Sequence, residues 1–421
     1  MGTGETVLRA RGWTIPSLAA PESNSIWKTT ICDTVVELSG DRYARCLRAI
    51  VLTGSLAREE ASFSCERDAC TVLGDAEFFL VFREGSKLPG RVAVEELRRD
   101  VEARLSRLGV IGHVDLRPTH PSCFRELPRH ILSYELRTWG QVVWGDAQVL
   151  SLIPIFPPTG ILLEDAWRML NNRIVELLEV SPQLSEASET LPSEVFYRTV
   201  KLYLDMATSF LVFVGAYEAS YQKRAVRLKV LVESECTCVD TPFRSFKAFS
   251  ERVGWCTELK LRGASTGAGL TLWTEALADA RLLWKWELER LTGSDSTLPG
   301  LELLDRWARC QPFRKKLRGW AYVLRRCGWH RSWRHWWRWV RCAWQGSPRY
   351  RIYAAGSELL FRIPELLDAR QCSVRELDWE RLQSFLPLSR RAAFVPERPA
   401  WQTLASDIAW NYHQFLEETT A

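Results

Sequence analysis

The run Gly74-Asp75-Ala76-Glu77-Phe78-Phe79-Leu80-Val81-Phe82 constrains this chain most. Its last five residues are apolar without a break and read as a core strand. Two carboxylates stand at its entrance. Residues i and i+2 of a strand point to the same face, so Asp75 and Glu77 share one. Burying an unpaired carboxylate is costly. An acid entering such an apolar run needs a reason, and two carboxylates on one face can bridge two divalent cations.

Two neighbouring stretches fit that need. Arg48–Thr53 reads as a buried strand that ends at the turn Gly54-Ser55. Glycine there permits close backbone approach, and exposed N–H groups with a serine hydroxyl can hold a phosphate. Ile111–Arg117 reads as a third, short strand with Asp115 set between Val114 and Leu116. Residues 91–108 carry apolar positions at helical spacing, and residues 56–70 suit a helix or loop. A further helix is expected from Ile26, capped by Ser25. The order strand, helix, strand, helix, strand is an α+β pattern.

Three carboxylates on adjoining strands suit phosphoryl and nucleotidyl transfer. Such reactions build charge on the transferring group. Two divalent cations about 3.5–4 Å apart can clamp the attacking and leaving oxygens. Asp75 and Glu77 are expected to bind both ions. Asp115 would bind one and ease deprotonation of the acceptor hydroxyl. The cations keep all three acids ionised despite their mutual repulsion.

In these residues the chain resembles the DNA polymerase beta-like nucleotidyltransferase superfamily. That family shows a Gly-Ser turn, then Asp-x-Asp or Asp-x-Glu on the next strand, then an acid on a later strand. Here the pattern falls on Gly54-Ser55, Asp75/Glu77 and Asp115. Leu56-Ala57-Arg58 is similar to the bacterial branch, as is Trp139-Gly140 through Trp144-Gly145-Asp146. Glu59 departs from the pattern, since a glycine is common there, and the gap from Ser55 to Asp75 is long. The resemblance covers roughly residues 30–225. It implies a mixed sheet flanked by helices, followed by a mainly helical region. It also implies two Mg²⁺ ions and an NTP substrate. In such enzymes a helical domain closes over the nucleotide, which suggests Lys201 on the phosphates and Tyr217 and Tyr221 lining the pocket. A degenerate copy of the fold, acting only as a binding module, is the alternative.

Pro154, Pro157, Pro158 and Gly160 mark an expected boundary. Three parts follow: a catalytic domain over 1–160, a helical closing domain over 161–295 and a helical region over 296–421. Helical periodicity runs through 161–180, 194–215, 270–292, 351–367 and 404–416.

Residues 306–344 hold ten Arg and two Lys with no Asp or Glu, and seven Trp fall between 320 and 344. Three readings stand. A basic, Trp-rich amphipathic helix can lie on anionic lipid. Arg and Trp can bind RNA through phosphates and stacked bases. Alternatively the Trp face packs and the Arg face is solvated. Trp329, Trp333, Trp336, Trp337 and Trp344 recur at three-to-four and seven-residue intervals, as a packed stripe does.

The length of 421 residues implies more than one domain. Twelve cysteines are scattered without CxxC pairs, so free thiols and a cytoplasmic protein, with contact to a membrane surface left open, are expected. Residues 1–20 lack the apolar core of a signal peptide, and no run of 18 apolar residues occurs. His113 shares a strand face with Asp115 and could approach the site, although a histidine so placed is more often structural. No G-x-G-x-x-G after a strand, Walker A, H-E-x-x-H or G-x-S-x-G pattern is present.

Overall fold

The chain folds as a mixed α+β protein, here described from a computed structural model. The described residues are 21–66, 69–184, 190–234, 240–262, 269–294, 297–327, 340, 343–344, 346–367, 379–388 and 399–416. Contacts divide it into two compact units. The first joins Met1–Asp165 to Val214–Cys236 and Ser250–Thr266. The second joins Ala166–Phe213 to Thr237–Phe249 and Gly267–Ala421. The block expected over 161–295 is thus split between them, because two of its segments fold back onto the first unit.

A five-stranded sheet organises the first unit. Its strands are β1 (Leu47–Thr53), β2 (Phe63–Glu66), β3 (Ala69–Phe82), β4 (Val110–Thr119) and β5 (Gln141–Gly145). The long β3 is central. Along one side it pairs antiparallel with β2 and then β1, and β1 pairs antiparallel with β5. On its other side β3 pairs parallel with β4. Helix α1 (Pro21–Tyr43) precedes the sheet and begins five residues before the expected start. A four-residue helix, α2 (Gly54–Ala57), follows β1. Residues 63–66, expected to be helix or loop, form β2 instead, because they close a hairpin onto β3.

The two faces of the sheet carry separate cores. Ile50 and Leu52, Ala76, Phe78 and Leu80, and Val114 and Leu116 face one side. Against them pack Ile31 and Val35 of α1 and Leu97, Val101 and Leu105 of α3 (Arg91–Arg107). The spacing i, i+4, i+8 puts those three residues on one stripe of α3. Ala49, Val51 and Val81 face the other side, with Phe124 of α4 (Pro121–Arg125) and Leu136 of α5 (Ile131–Trp139).

The Trp144-Gly145-Asp146 segment is structural. Gly145 has φ +88°, and a Cβ there would come within 2.3 Å of the Arg48 carbonyl oxygen. Asp146 Oδ2 accepts from Arg48 Nε at 2.9 Å, and its Oδ1 accepts from the Gln148 N–H at 2.9 Å. Those bonds hold its carboxyl below the usual range and fasten β5 to β1.

Cysteine chemistry differs from expectation. Cys70 is disulfide-bonded, while Cys32, Cys46, Cys123, Cys256 and Cys310 are free. In the backbone register of the β2–β3 hairpin, Cys70 stands opposite Cys65.

The second unit is helical. It holds most of α6 (Leu163–Val180), all of α7 (Ser193–Phe213), and α10 (Leu270–Thr292) through α15 (Ala400–Leu416). Between α7 and α10 run α8 (Tyr221–Glu233), in the first unit, and α9 (Phe246–Arg262), whose C-terminal part belongs there too. The remaining helices are α11 (Gly300–Cys310), α12 (Phe313–Cys327), α13 (Pro348–Leu367) and α14 (Trp379–Phe385). Trp167 of α6 stacks on Tyr350 of α13, with ring centroids 5.7 Å apart. Asn171 accepts from Trp284 Nε1 at 2.9 Å, which ties α10 to the same core. Among the described residues no helix is long and apolar enough to cross a membrane.

Candidate active site

Strand β3 changes character along one face. Val81 and Phe79 on that face pack with α4 and α5. Two steps nearer the strand entrance the same face carries Glu77, then Asp75. The register decides what meets them. Glu77 pairs with Thr53 of β1 on one side and with Asp115 of β4 on the other. Directly paired residues project to the same face, so Asp75, Glu77 and Asp115 form one acidic patch. Asp75 is exposed; Glu77 and Asp115 are half-buried.

The Gly54 turn closes the patch from β1. Gly54 has φ +72°, a left-handed conformation that disfavours any side chain. A Cβ added there would lie 3.0 Å from Glu77 Oε1. The backbone of Gly54 therefore rests against the carboxylate. Ser55 follows at the start of α2, and its carbonyl accepts from the Glu60 N–H at 2.9 Å.

Burial pushes the Glu77 carboxyl up from its ordinary value. Arg117 opposes that rise, while Asp115, Asp75 and Glu135 add to it. Arg117 stands two residues beyond Asp115 and on the same face. Its Nη2 lies 2.6 Å from Asp115 Oδ2 and 3.7 Å from Glu77 Oε2, and its Nε donates to Asp115 Oδ2 at 2.8 Å. The guanidinium serves as the patch's internal counter-charge. Among the described residues no group of three His, Cys, Asp or Glu side chains is placed to hold a metal ion. Arg117 bonds one carboxylate oxygen of the patch, Asp115 Oδ2.

His113 is bound away from the patch. Its Nδ1 sits 2.9 Å from Glu102 Oε1 on α3 and 3.2 Å from Arg98 Nη1.

Beneath the turn lies a charged network that the sequence does not announce. Arg58 and Arg224 have side chains only 5% and 4% exposed. Glu135 of α5 joins them. It accepts from Arg58 Nη1 at 2.6 Å, from Arg224 Nη2 at 2.9 Å and from the Tyr217 hydroxyl at 2.5 Å. Glu60 accepts from Arg58 Nε at 3.1 Å and from the Ser220 hydroxyl at 2.7 Å. The Tyr221 ring lies against both guanidiniums, 5.3 Å from Arg58 and 4.7 Å from Arg224. The network pins residues 54–60 to α5 and α8. Glu59 between them adopts φ +61°, the conformation for which the resemblance expected glycine. Lys260 of α9 reaches the same unit, donating to Ser62 Oγ at 2.8 Å and to the Leu73 carbonyl at 3.1 Å.

The structure brings Gly54, Asp75, Glu77 and Asp115 together, with Ser55 next in the turn. Tyr217 is enclosed within the charged network, and Tyr221 is half-buried on its edge. Lys201 belongs to the other unit. Its ammonium lies 5.4 Å over the Tyr197 ring. The nearby Arg173 charge, with burial, lowers it to about 8, against Glu176 and Asp205. Arg117 was legible in principle, since an Asp-x-Arg pair on a strand shares one face. Glu135 carried no such signal. Of the Trp/Arg segment, residues 328–339 lie outside the described residues, together with the Trp stripe's Trp329, Trp333, Trp336 and Trp337.

Compared with known proteins, the chain matches no family model, no curated protein and no solved structure.

Proposed function

We propose that this chain is a nucleotidyltransferase with a polymerase beta-like core. It would move a nucleoside monophosphate from an NTP to an acceptor hydroxyl. One observation supports this above the rest: Asp75, Glu77 and Asp115 share a sheet face against the Gly54 turn. Their donor set is carboxylate oxygen alone, which suits Mg²⁺. Asp75 and Glu77 would hold two ions and Asp115 one of them. Bound Mg²⁺ supplies charge neutralisation and Lewis acidity at the transferring phosphorus.

The chain's own residues do the rest. Gly54 and Ser55 present backbone N–H groups to the phosphates. Asp115 accepts the proton of the acceptor hydroxyl once Arg117 releases it. Arg117 then stays as a positive charge beside the reacting group. Of the two tyrosines, Tyr221 keeps the more accessible ring for the base, while Tyr217 supports Glu135.

The test is pyrophosphate release from NTP with Mg²⁺, comparing the unaltered chain with Asp75→Ala and Glu77→Ala. Both substitutions should abolish release. Release that both variants retain in full would refute the reading.

A second reading rests on Arg117. A guanidinium seated on Asp115 and facing Glu77 can replace the metal permanently, leaving a catalytically degenerate scaffold. Calorimetric titration with Mg²⁺ and a non-hydrolysable NTP separates the two. Saturable binding lost in Asp75→Ala supports the enzyme; no binding supports the scaffold.

A further inference from the structure

Helix α12 (Phe313–Cys327) has an unequal surface. One edge is docked on its own unit. Trp320 is buried, and its Nε1 donates to the Gly346 carbonyl at 2.8 Å. Lys316 is buried as well and donates to the Arg309 carbonyl at 2.6 Å. At 100° per residue, Phe313 and Leu317 continue the apolar stripe that Trp320 begins. Yet they stay 62% and 55% exposed. Beyond them Trp344 is 80% exposed. The next side of α12 carries Arg314, Arg318 and Arg325, all exposed. The result is an uncovered apolar strip running beside a cationic one.

Charge decides what such a strip meets. From residue 306 to 344 the sequence holds twelve cations and no acid. An anionic partner is required. Leu317 has no ring to stack on a base, whereas Leu and Phe beside Arg are the composition of a helix lying in a lipid interface. No described helix is built to cross the bilayer, so the contact is with its surface.

We propose that the outer face of α12 docks the protein onto an anionic lipid surface. Phe313 and Leu317 enter the acyl boundary, and the arginines meet lipid phosphates. This site is independent of the carboxylate patch.

The test is co-sedimentation of the full chain with two kinds of vesicle. One is phosphatidylcholine alone; the other has one part phosphatidylglycerol to two parts phosphatidylcholine. The chain should pellet with the anionic vesicles roughly tenfold better, and high salt should release it. Phe313→Ser with Leu317→Ser should cut binding about tenfold while the circular dichroism stays unchanged. Arg314→Glu with Arg318→Glu, also at exposed positions, should do the same. Equal pelleting on both vesicles, or full binding by either double variant, overturns the proposal. So does a gel shift with single-stranded RNA by a chain that leaves anionic vesicles unbound.

Discussion

Replacing Glu135 by leucine should unfold the first unit far more easily than an ordinary surface change. Glu135 holds two guanidiniums and a phenol: Arg58 at 2.6 Å, Arg224 at 2.9 Å and the Tyr217 hydroxyl at 2.5 Å. Both arginine side chains are at most 5% exposed. Glu60 pairs with Arg58 at 3.1 Å, so two acids balance two cations in a buried space. Without Glu135 one positive charge stays buried and unmatched. Breaking a buried pair in this way costs about 3–5 kcal/mol. With a urea slope of about 2–3 kcal/mol/M, the midpoint should fall by roughly 1–2 M. Hydrogen exchange of the β1 and β3 amides during the titration reports this unit specifically. The double variant Glu135→Leu/Arg224→Met removes charge in balance, so it should recover about 1.5 kcal/mol or more relative to the summed single variants. A midpoint shift below about 0.3 M for Glu135→Leu would refute the argument. So would strict additivity in the double variant.

Three further outcomes are expected. Glu59→Gly should stabilise the first unit by about 0.5–1 kcal/mol, because φ +61° strains a side-chain-bearing residue. Its ion pair with Lys28, at 3.6 Å and 80% exposed on the Glu59 side, offsets little; a lower urea midpoint would contradict this. Glu287, fully buried in α10, is pushed by burial from 4.5 to about 8, only partly opposed by Ser209 and Arg290. Between those two values the unfolded chain has already lost the proton that the folded chain keeps, so stability falls as pH rises. The loss from pH 4.5 to 8 is roughly 4–5 kcal/mol, and Glu287→Gln should remove it in thermal melts across that range. In the metal-free chain, Arg117→Gln should raise the Glu77 carboxyl further, since Arg117 is the cation that opposes burial there. Carbon-detected NMR titration of Glu77 reads that shift, and an unchanged or lowered midpoint would show that Arg117 does not govern it.

Much of the site was local in origin and therefore legible. Strand alternation alone puts Asp75 and Glu77 on one face, and an apolar run explains why β3 is central. The helices at 163–180, 193–213 and 270–292 follow from their apolar periodicity, within two residues of expectation. What the sequence left open concerns partners far apart in the chain. Alternation does not say that Glu77 stands between Thr53 and Asp115; the β1–β3 and β3–β4 registers do. Hairpin register likewise set Cys70 opposite Cys65. Glu135, Tyr217 and Arg224 converge only because residues 214–236 return to the first unit, and no spacing rule reaches across that distance. Strand alternation lets the two acids at the mouth of the Phe78–Phe82 strand bridge cations. Only the tertiary structure revealed that Arg117 already supplies one, because a charge's nearest partner is set by distance in space and not along the chain.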